Sequence, residues 1–168
     1  NYGIYANLSY KGFSANILFQ GATSRDMYIE DVVRGQSTGG YTMVYPYQLD
    51  YWMPDNTDAK FPRIAMNSSV NGNNNYVTSD FWLVNGRYIR LKSLQLGYDF
   101  RSVLLKNIKW LYKCQVVLSG QNLFTISPAT KYGFDPENGS TNNYDYPMQR
   151  VYAISLNPVS YTHLTLPT

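Results

Sequence analysis

A chain of 168 residues is long enough to bury one core, yet 17 tyrosines and an aromatic share of 16% stand beside only 15% charged residues, where about 25% is usual in a soluble domain. The net charge of +3 comes from 14 scattered basic residues that form no stripe, which argues against a nucleic-acid partner. A single cysteine and a single histidine exclude a disulfide framework and leave too few soft ligands for a zinc site.

The excess of Tyr, Asn, Ser and Gly is the material of strands and wet loops, so the class reads as all-β. No stretch approaches the ~20 apolar residues of a membrane-spanning helix. That does not count against a β-barrel, whose strands alternate and give a weak hydropathy signal. Asn1-Tyr2-Gly3-Ile4 opens directly on a strand pattern with no secretory signal ahead of it, and the expectation is of a chain that begins inside a longer protein.

In chain order, Tyr2, Ile4, Ala6, Leu8 and Tyr10 alternate with Gly3, Tyr5, Asn7, Ser9 and Lys11. After Lys11-Gly12 the pattern resumes, with Phe13, Ala15, Ile17 and Phe19 against Ser14, Asn16 and Gln20. Period two on both sides of a short Gly-containing turn predicts a hairpin over Tyr2 to Gly21. From about Thr23 to Asp80 the periodicity fails and Gly, Asn, Asp and Pro dominate, which predicts a long functional loop. A third strand is expected over Tyr88 to Phe100, with Leu94, Leu96, Tyr98 and Phe100 on one face and Gln95 and Asp99 on the other; Ile89 and Leu91 have the opposite parity, suggesting a β-bulge near Lys92-Ser93. The spacing of Leu104, Leu105, Ile108 and Leu111 suggests one helical turn. A fourth strand follows over Lys113 to Thr125, then a second loop over roughly Ser127 to Pro147, then a fifth strand over Gln149 to Asn157 with Ile154 and Leu156 opposite Ser155.

Cys114 sits in an apolar alternating run and reads as a plain buried or lipid-facing thiol. About five strands cannot close a plugged transporter barrel, which has 22, so the chain is either a barrel fragment or a small sandwich. Short and long connections alternate as they do in outer-membrane barrels, with tight turns on the periplasmic side and long loops outside.

Candidate chemistry is sparse. The lone His163 lies in the last eleven residues, which leaves Ser-His and Cys-His catalysis without a base. Asp135 with Glu137, and Asp55 with Asp58, are sequence neighbours rather than carboxylates facing each other across a substrate. Asp135 to Ser140 offers oxygens but lacks calcium-loop spacing, and turn chemistry accounts for it. No enzyme, metal or cofactor is expected. The loop aromatics Tyr51, Trp52, Phe81 and Trp82 are candidates for stacking on sugar rings, against the plainer reading of an interfacial girdle or packing onto a barrel rim. Arg90 and Lys92 are expected to face a wet lumen, because a basic residue at the bilayer midplane costs ~2–4 kcal/mol.

Six phrases then stand in order: Tyr10-Lys11-Gly12-Phe13; Tyr51-Trp52 with Asn56 and Ala59-Lys60-Phe61-Pro62-Arg63; Tyr88 to Tyr98; Ser119-Gly120-Gln121-Asn122-Leu123-Phe124-Thr125; Gly133-Phe134-Asp135-Pro136-Glu137; and Tyr146-Pro147. Together they resemble the end of SusC/RagA-family TonB-dependent outer-membrane transporters, and Arg90, Lys92, Asn122, Asp135 and Glu137 fall on the family-motif positions. The resemblance implies that residues 1–157 are the C-terminal part of a 22-stranded transmembrane β-barrel with long extracellular loops. It also implies an N-terminal plug outside this chain, energy from TonB, a SusD-like surface lipoprotein as partner, outer-membrane lipid around the wall, and an oligosaccharide or peptide as substrate. Residues 158–168 depart from the family pattern, which ends on an aromatic, and read as a non-native tail of adapter or vector origin. The alternatives are a secreted β-sandwich module that binds carbohydrate and, more remotely, a fragment of an all-β glycosidase.

Overall fold

The structure is a computed structural model that describes residues 1–30, 45–64, 74–75, 77–100, 111–138, 146 and 148–160. The chain divides into two compact units, one of Asn1–Gly21, Ile89–Thr125 and Gln149–Thr168, the other of Ala22–Tyr88 and Ile126–Met148.

The first unit is a five-stranded sheet built from β1 (Tyr2–Tyr10), β2 (Phe13–Ala22), β5 (Tyr88–Asp99), β6 (Leu111–Ile126) and β7 (Val151–Ser160), in the order β1-β2-β5-β6-β7. Each strand lies beside its neighbour in the chain once the long excursion between β2 and β5 is set aside, which is the meander that the alternation predicts. The β1–β2 hairpin pairs Tyr2 with Gly21 through to Tyr10 with Phe13. Its turn residues Lys11 and Gly12 both have positive φ, 44° and 87°. A two-residue hairpin turn of this hand matches the right-handed twist of the strands, and Gly12 enters it without the penalty a Cβ would bring.

β5 spans Tyr88–Asp99 as one strand that includes Lys92-Ser93, and a register irregularity falls on β6 between Leu111 and Lys113. On β6, Asn122 has a left-handed φ of 53°. The Leu123 side chain lies back over Gly120, where a Cβ would come within 2.7 Å of its Cδ2. The strand limits also move. β6 begins at Leu111 rather than Lys113, and β7 continues past Asn157, pairing Pro158 with Cys114, Val159 with Lys113 and Ser160 with Leu111. The expectation that pairing stops at Asn157 is therefore corrected: β7 is the last strand in the order, and a terminal strand is where a missing ladder donor is tolerated. The helical turn expected within 101–110, and residues 161–168, lie outside the described residues.

The second unit overturns the expectation of a structureless loop. Here β3 (Asp26–Tyr28) pairs antiparallel with β4 (Leu83–Asn85), Met27 facing Val84. Short 3-10 turns at Pro46–Leu49, Asp80–Trp82 and Pro128–Tyr132 frame a core of Met27, Ile29, Phe61, Trp82, Val84, Ala129 and Phe134. Tyr28, Tyr45, Tyr47 and Tyr132 pack against it. Ser127 caps the last of these turns by accepting from Ala129 N, and Gly133 ends it at φ 80°, a left-handed exit that glycine adopts freely. Four of the 17 tyrosines pack against this core, partly through edge-on ring pairs such as Tyr47–Phe61 at 5.3 Å and Tyr47–Tyr132 at 5.1 Å. No helix among the described residues is long and apolar enough to cross a membrane, which says nothing of crossing by strands.

Candidate functional site: a two-faced sheet and an aromatic cleft

The sheet separates its side chains by chemistry. The β1–β2 register puts Ile4 opposite Phe19, Ala6 opposite Ile17, Leu8 opposite Ala15 and Tyr10 opposite Phe13. Phe13 in turn meets Tyr98 at 4.3 Å between ring centroids, and Tyr98 meets Phe100 edge-on at 4.8 Å. Leu96, Val116 and Leu118 share an apolar groove of about 690 Å³ with Leu8, Tyr10 and Phe13. On β7, Leu156 pairs with Val116 and Ile154 with Leu118. Leu96, Tyr98 and Phe100 thus lie on the face of Ile154 and Leu156, and that face is open: Ile154 is 77% exposed, Tyr10 70% and Leu8 61%. An exposed apolar surface spread across five strands is far larger than the scattered apolar residues of a soluble surface.

The other face is laced with amides and hydroxyls. Tyr5 Oη donates to Asn16 Oδ1 (3.5 Å), Asn16 Nδ2 to Gln95 Oε1 (3.4 Å) and Gln115 Nε2 to Ser14 Oγ (3.1 Å). The last of these bonds crosses over Gly97, where an added Cβ would stand 2.5 Å from both partner atoms. A side chain there would displace this hydrogen-bonded pair, so glycine is favoured by close approach and not by backbone conformation. Asn157 and Ser155 pair with Gln115 and Val117, so this polar face continues onto β7.

The motif residues prove structural in their local roles. Asp135 Oδ1 accepts from Glu137 N (2.9 Å) and Asp135 O accepts from Asn138 N (3.1 Å), an Asx turn around the fully buried Pro136. Glu137 Oε1 accepts from Tyr88 Oη (3.4 Å), which ties that turn to the start of β5. Arg90 is only 2% exposed and its Nε donates to Thr125 Oγ1 at 2.7 Å. Its charge is therefore buried in the sheet unit, where it needs hydrogen-bonding partners. Lys92, two residues on, is half-buried. Asn122 Nδ2 donates to Gln149 O (3.1 Å), bridging the kink in β6 to the start of β7. Cys114 is a half-buried free thiol. Among the described residues, no three His, Cys, Asp or Glu side chains are grouped so as to hold a metal.

The loop aromatics divide. A cleft of about 720 Å³ in the second unit is walled by Trp52 and Phe81, which are 40% and 48% exposed. Trp82 reaches it from below but is 2% exposed, with its Nε1 donating to Asn75 O, so it is a core residue and not a stacking surface. Tyr51 is bridged to Phe61 by its backbone and does not line the cleft. Of the four aromatics, Trp52 and Phe81 are the ones that line the cleft with an accessible ring. What the aromatic search missed is the cationic side of the cleft, Lys60 and Arg63, with Asn74, Asn75 and Ser79. The signal was present in Lys60-Phe61-Pro62-Arg63, two cations flanking an aromatic and a proline, which carried the family resemblance but was not weighed as a site.

The antiparallel meander, with one apolar and one amide-lined face, has the fold of the matching part of the RagAB transporter chains. In sequence the chain is similar to two TonB-dependent receptors of Formosa agariphila, P3 and P39, each 27% identical over 92% of this chain. Among solved structures it resembles the RagAB peptide transporter, at 24% identity over 89% of the chain with a TM-score of 0.64, and the same importer in its open-open state, at 23% identity over 95% with a TM-score of 0.66. The chain spans 16% and 15% of the lengths of the two receptors, and 16% and 17% of the chains in the two structures. No protein-family model matches it.

Proposed function

We propose that this chain is the C-terminal wall segment of a larger outer-membrane barrel that imports nutrients with energy from TonB. The observation that carries the reading is the separation of faces, open apolar side chains from Ile4 to Leu156 on one and hydrogen-bonded amides on the other. In a bilayer the apolar face and its groove contact acyl chains, and the amide face lines the lumen. The complete barrel has 22 strands, long loops on the outside of a Gram-negative cell, a plug and TonB contact supplied by segments outside this chain, and a SusD-like lipoprotein as partner. Its cargo is an oligosaccharide or a peptide. The receptor names of the sequence relatives and the peptide-transporter name of the structural ones support this assignment. The reading gives the segment no catalytic step and no cofactor.

A secreted sandwich module is the weaker reading, because a sandwich buries its apolar face against a second sheet, whereas Ile154 and Leu156 are 77% and 63% exposed. Spin labels at Leu96 and Gln95 of the full-length protein in vesicles distinguish the two. Lipid-soluble relaxation agents should broaden the first label and water-soluble agents the second. The reverse pattern, or water access at both sites, removes the barrel assignment.

A further inference from the structure

We propose that the cleft between Trp52 and Phe81 is a binding site for an acidic saccharide, one whose pyranose rings carry carboxylates. The proposal deepens the import reading and rests on it for its biological meaning, while the cleft itself stands on its own geometry. Three observations converge. The walls are aromatic and accessible: Trp52 and Phe81 expose 40% and 48% of their surface, and Phe81 packs edge-on against the buried Trp82 at 4.9 Å and 90°. A stacking platform loses less freedom on binding when its ring is already packed against a neighbour.

The charge in the cleft is of one sign. Lys60 and Arg63 both line it, and no carboxylate does among the described residues. Lys60 Nζ lies 5.4 Å from the centre of the Phe61 ring and 5.7 Å from that of Tyr132, and donates to Tyr132 Oη at 3.2 Å. It is thus positioned by rings and a hydroxyl, and among the described residues that line the cleft none is an acid. Asp50 accepts from the Lys60 backbone N and from Asn56 Nδ2, and so is engaged in holding the loop. The remaining wall is of amide and hydroxyl type, Asn74, Asn75 and Ser79, which suits a ligand rich in hydroxyls.

A peptide with an acidic side chain shares the charge but not the need for ring-sized apolar faces and scattered hydroxyl partners. The cleft's volume, about 720 Å³, is that of a small-molecule site rather than of an extended-strand groove. Carboxylate to guanidinium contact is the strong, oriented part of the interaction, and the sugar's C–H face on Trp52 is the broad part.

The test is calorimetry on the full-length protein in detergent, with trigalacturonate, a neutral trisaccharide of equal length and a triglutamate peptide as the three probes. Trigalacturonate should bind, and should bind at least tenfold more tightly than either of the others. Arg63→Gln and Lys60→Gln should each weaken it at least fivefold and leave the neutral sugar unaffected, and Trp52→Ala should weaken both sugars. Raising the salt concentration should mimic the charge-removing variants on unaltered protein, so the result does not depend on a variant folding. No binding of trigalacturonate, equal binding of the neutral sugar, tighter binding of the peptide, or insensitivity to Arg63→Gln and salt together would each overturn the proposal. Spin-label access at Leu96 and Gln95 reports separately on the barrel reading, so a cleft that fails and a barrel that fails give different results.

Discussion

Replacing Leu118 by arginine tests the barrel reading at the point where its cost is greatest. β6 has 16 residues, about 53 Å at ~3.3 Å per residue. At a tilt of about 40° it rises about 40 Å, more than the apolar band of about 25 Å that it must cross. Leu118 is the eighth residue of that strand, near the middle of the band, paired with Ile154 on the apolar face and 49% exposed. Arginine at that depth costs ~2–4 kcal/mol, a loss of about 30- to 1,000-fold in the folded-to-unfolded ratio. The neighbouring Ser119 lies at almost the same depth on the opposite face, paired with Ala153. Ser119→Arg should therefore stay within about 0.5 kcal/mol, as a substitution facing water does. The assay is reversible urea unfolding of the full-length protein in phospholipid vesicles, followed by tryptophan fluorescence. Equal costs at the two positions, or the larger cost at Ser119, would refute the assignment of faces.

Four further outcomes follow from the structure. Gly97→Val forces its Cβ against Ser14 Oγ and Gln115 Nε2 and should cost ~1–3 kcal/mol through the broken polar contact, while Gln115→Ala in the same background should recover part of it in a double-mutant cycle. Gly12→Val places a β-branched residue at φ 87° and should destabilise the hairpin by ~1–2 kcal/mol, read as a lower urea midpoint with unchanged slope. Trp82→Ala should remove ~3–5 kcal/mol from the loop unit, exposing it to limited proteolysis while the strand signal in circular dichroism persists. Expressed alone, the chain should form no pore, because β1 and β7 end the sheet unpaired and each open backbone group costs several kcal/mol in hydrocarbon; discrete single-channel conductance from the purified fragment would contradict this.

The periodicity of residues predicts all five strands of the sheet, and the hairpin turn is readable at Lys11-Gly12 because the alternation breaks there at a glycine and resumes at once. Facing is readable for the same reason, since a side-chain period of two leaves only one assignment once an apolar face is named. The loop unit was opaque. Its core residues, Met27, Ile29, Phe61, Val84 and Phe134, are far apart in the chain and fall at no regular spacing, so nothing local announces that they meet. For the same reason Arg90, one basic residue in an alternating run, carries no sign that Thr125, 35 positions away, would accept its hydrogen bond.

The sequence by itself determined the all-β class, the strand positions and the segregation of apolar from amide side chains, because these depend on local alternation and turn chemistry. Tertiary structure decided which loop aromatics remain accessible, burying Trp82 while leaving Trp52 and Phe81 open, and brought Lys60 and Arg63 to the same cleft. It also let β7 continue through Pro158, since a proline's tolerance depends on whether its strand is interior or terminal. Exposure and juxtaposition are properties of the packed chain: the same tryptophan is a core residue or a ligand platform according to what covers it, and distant residues supply the cover.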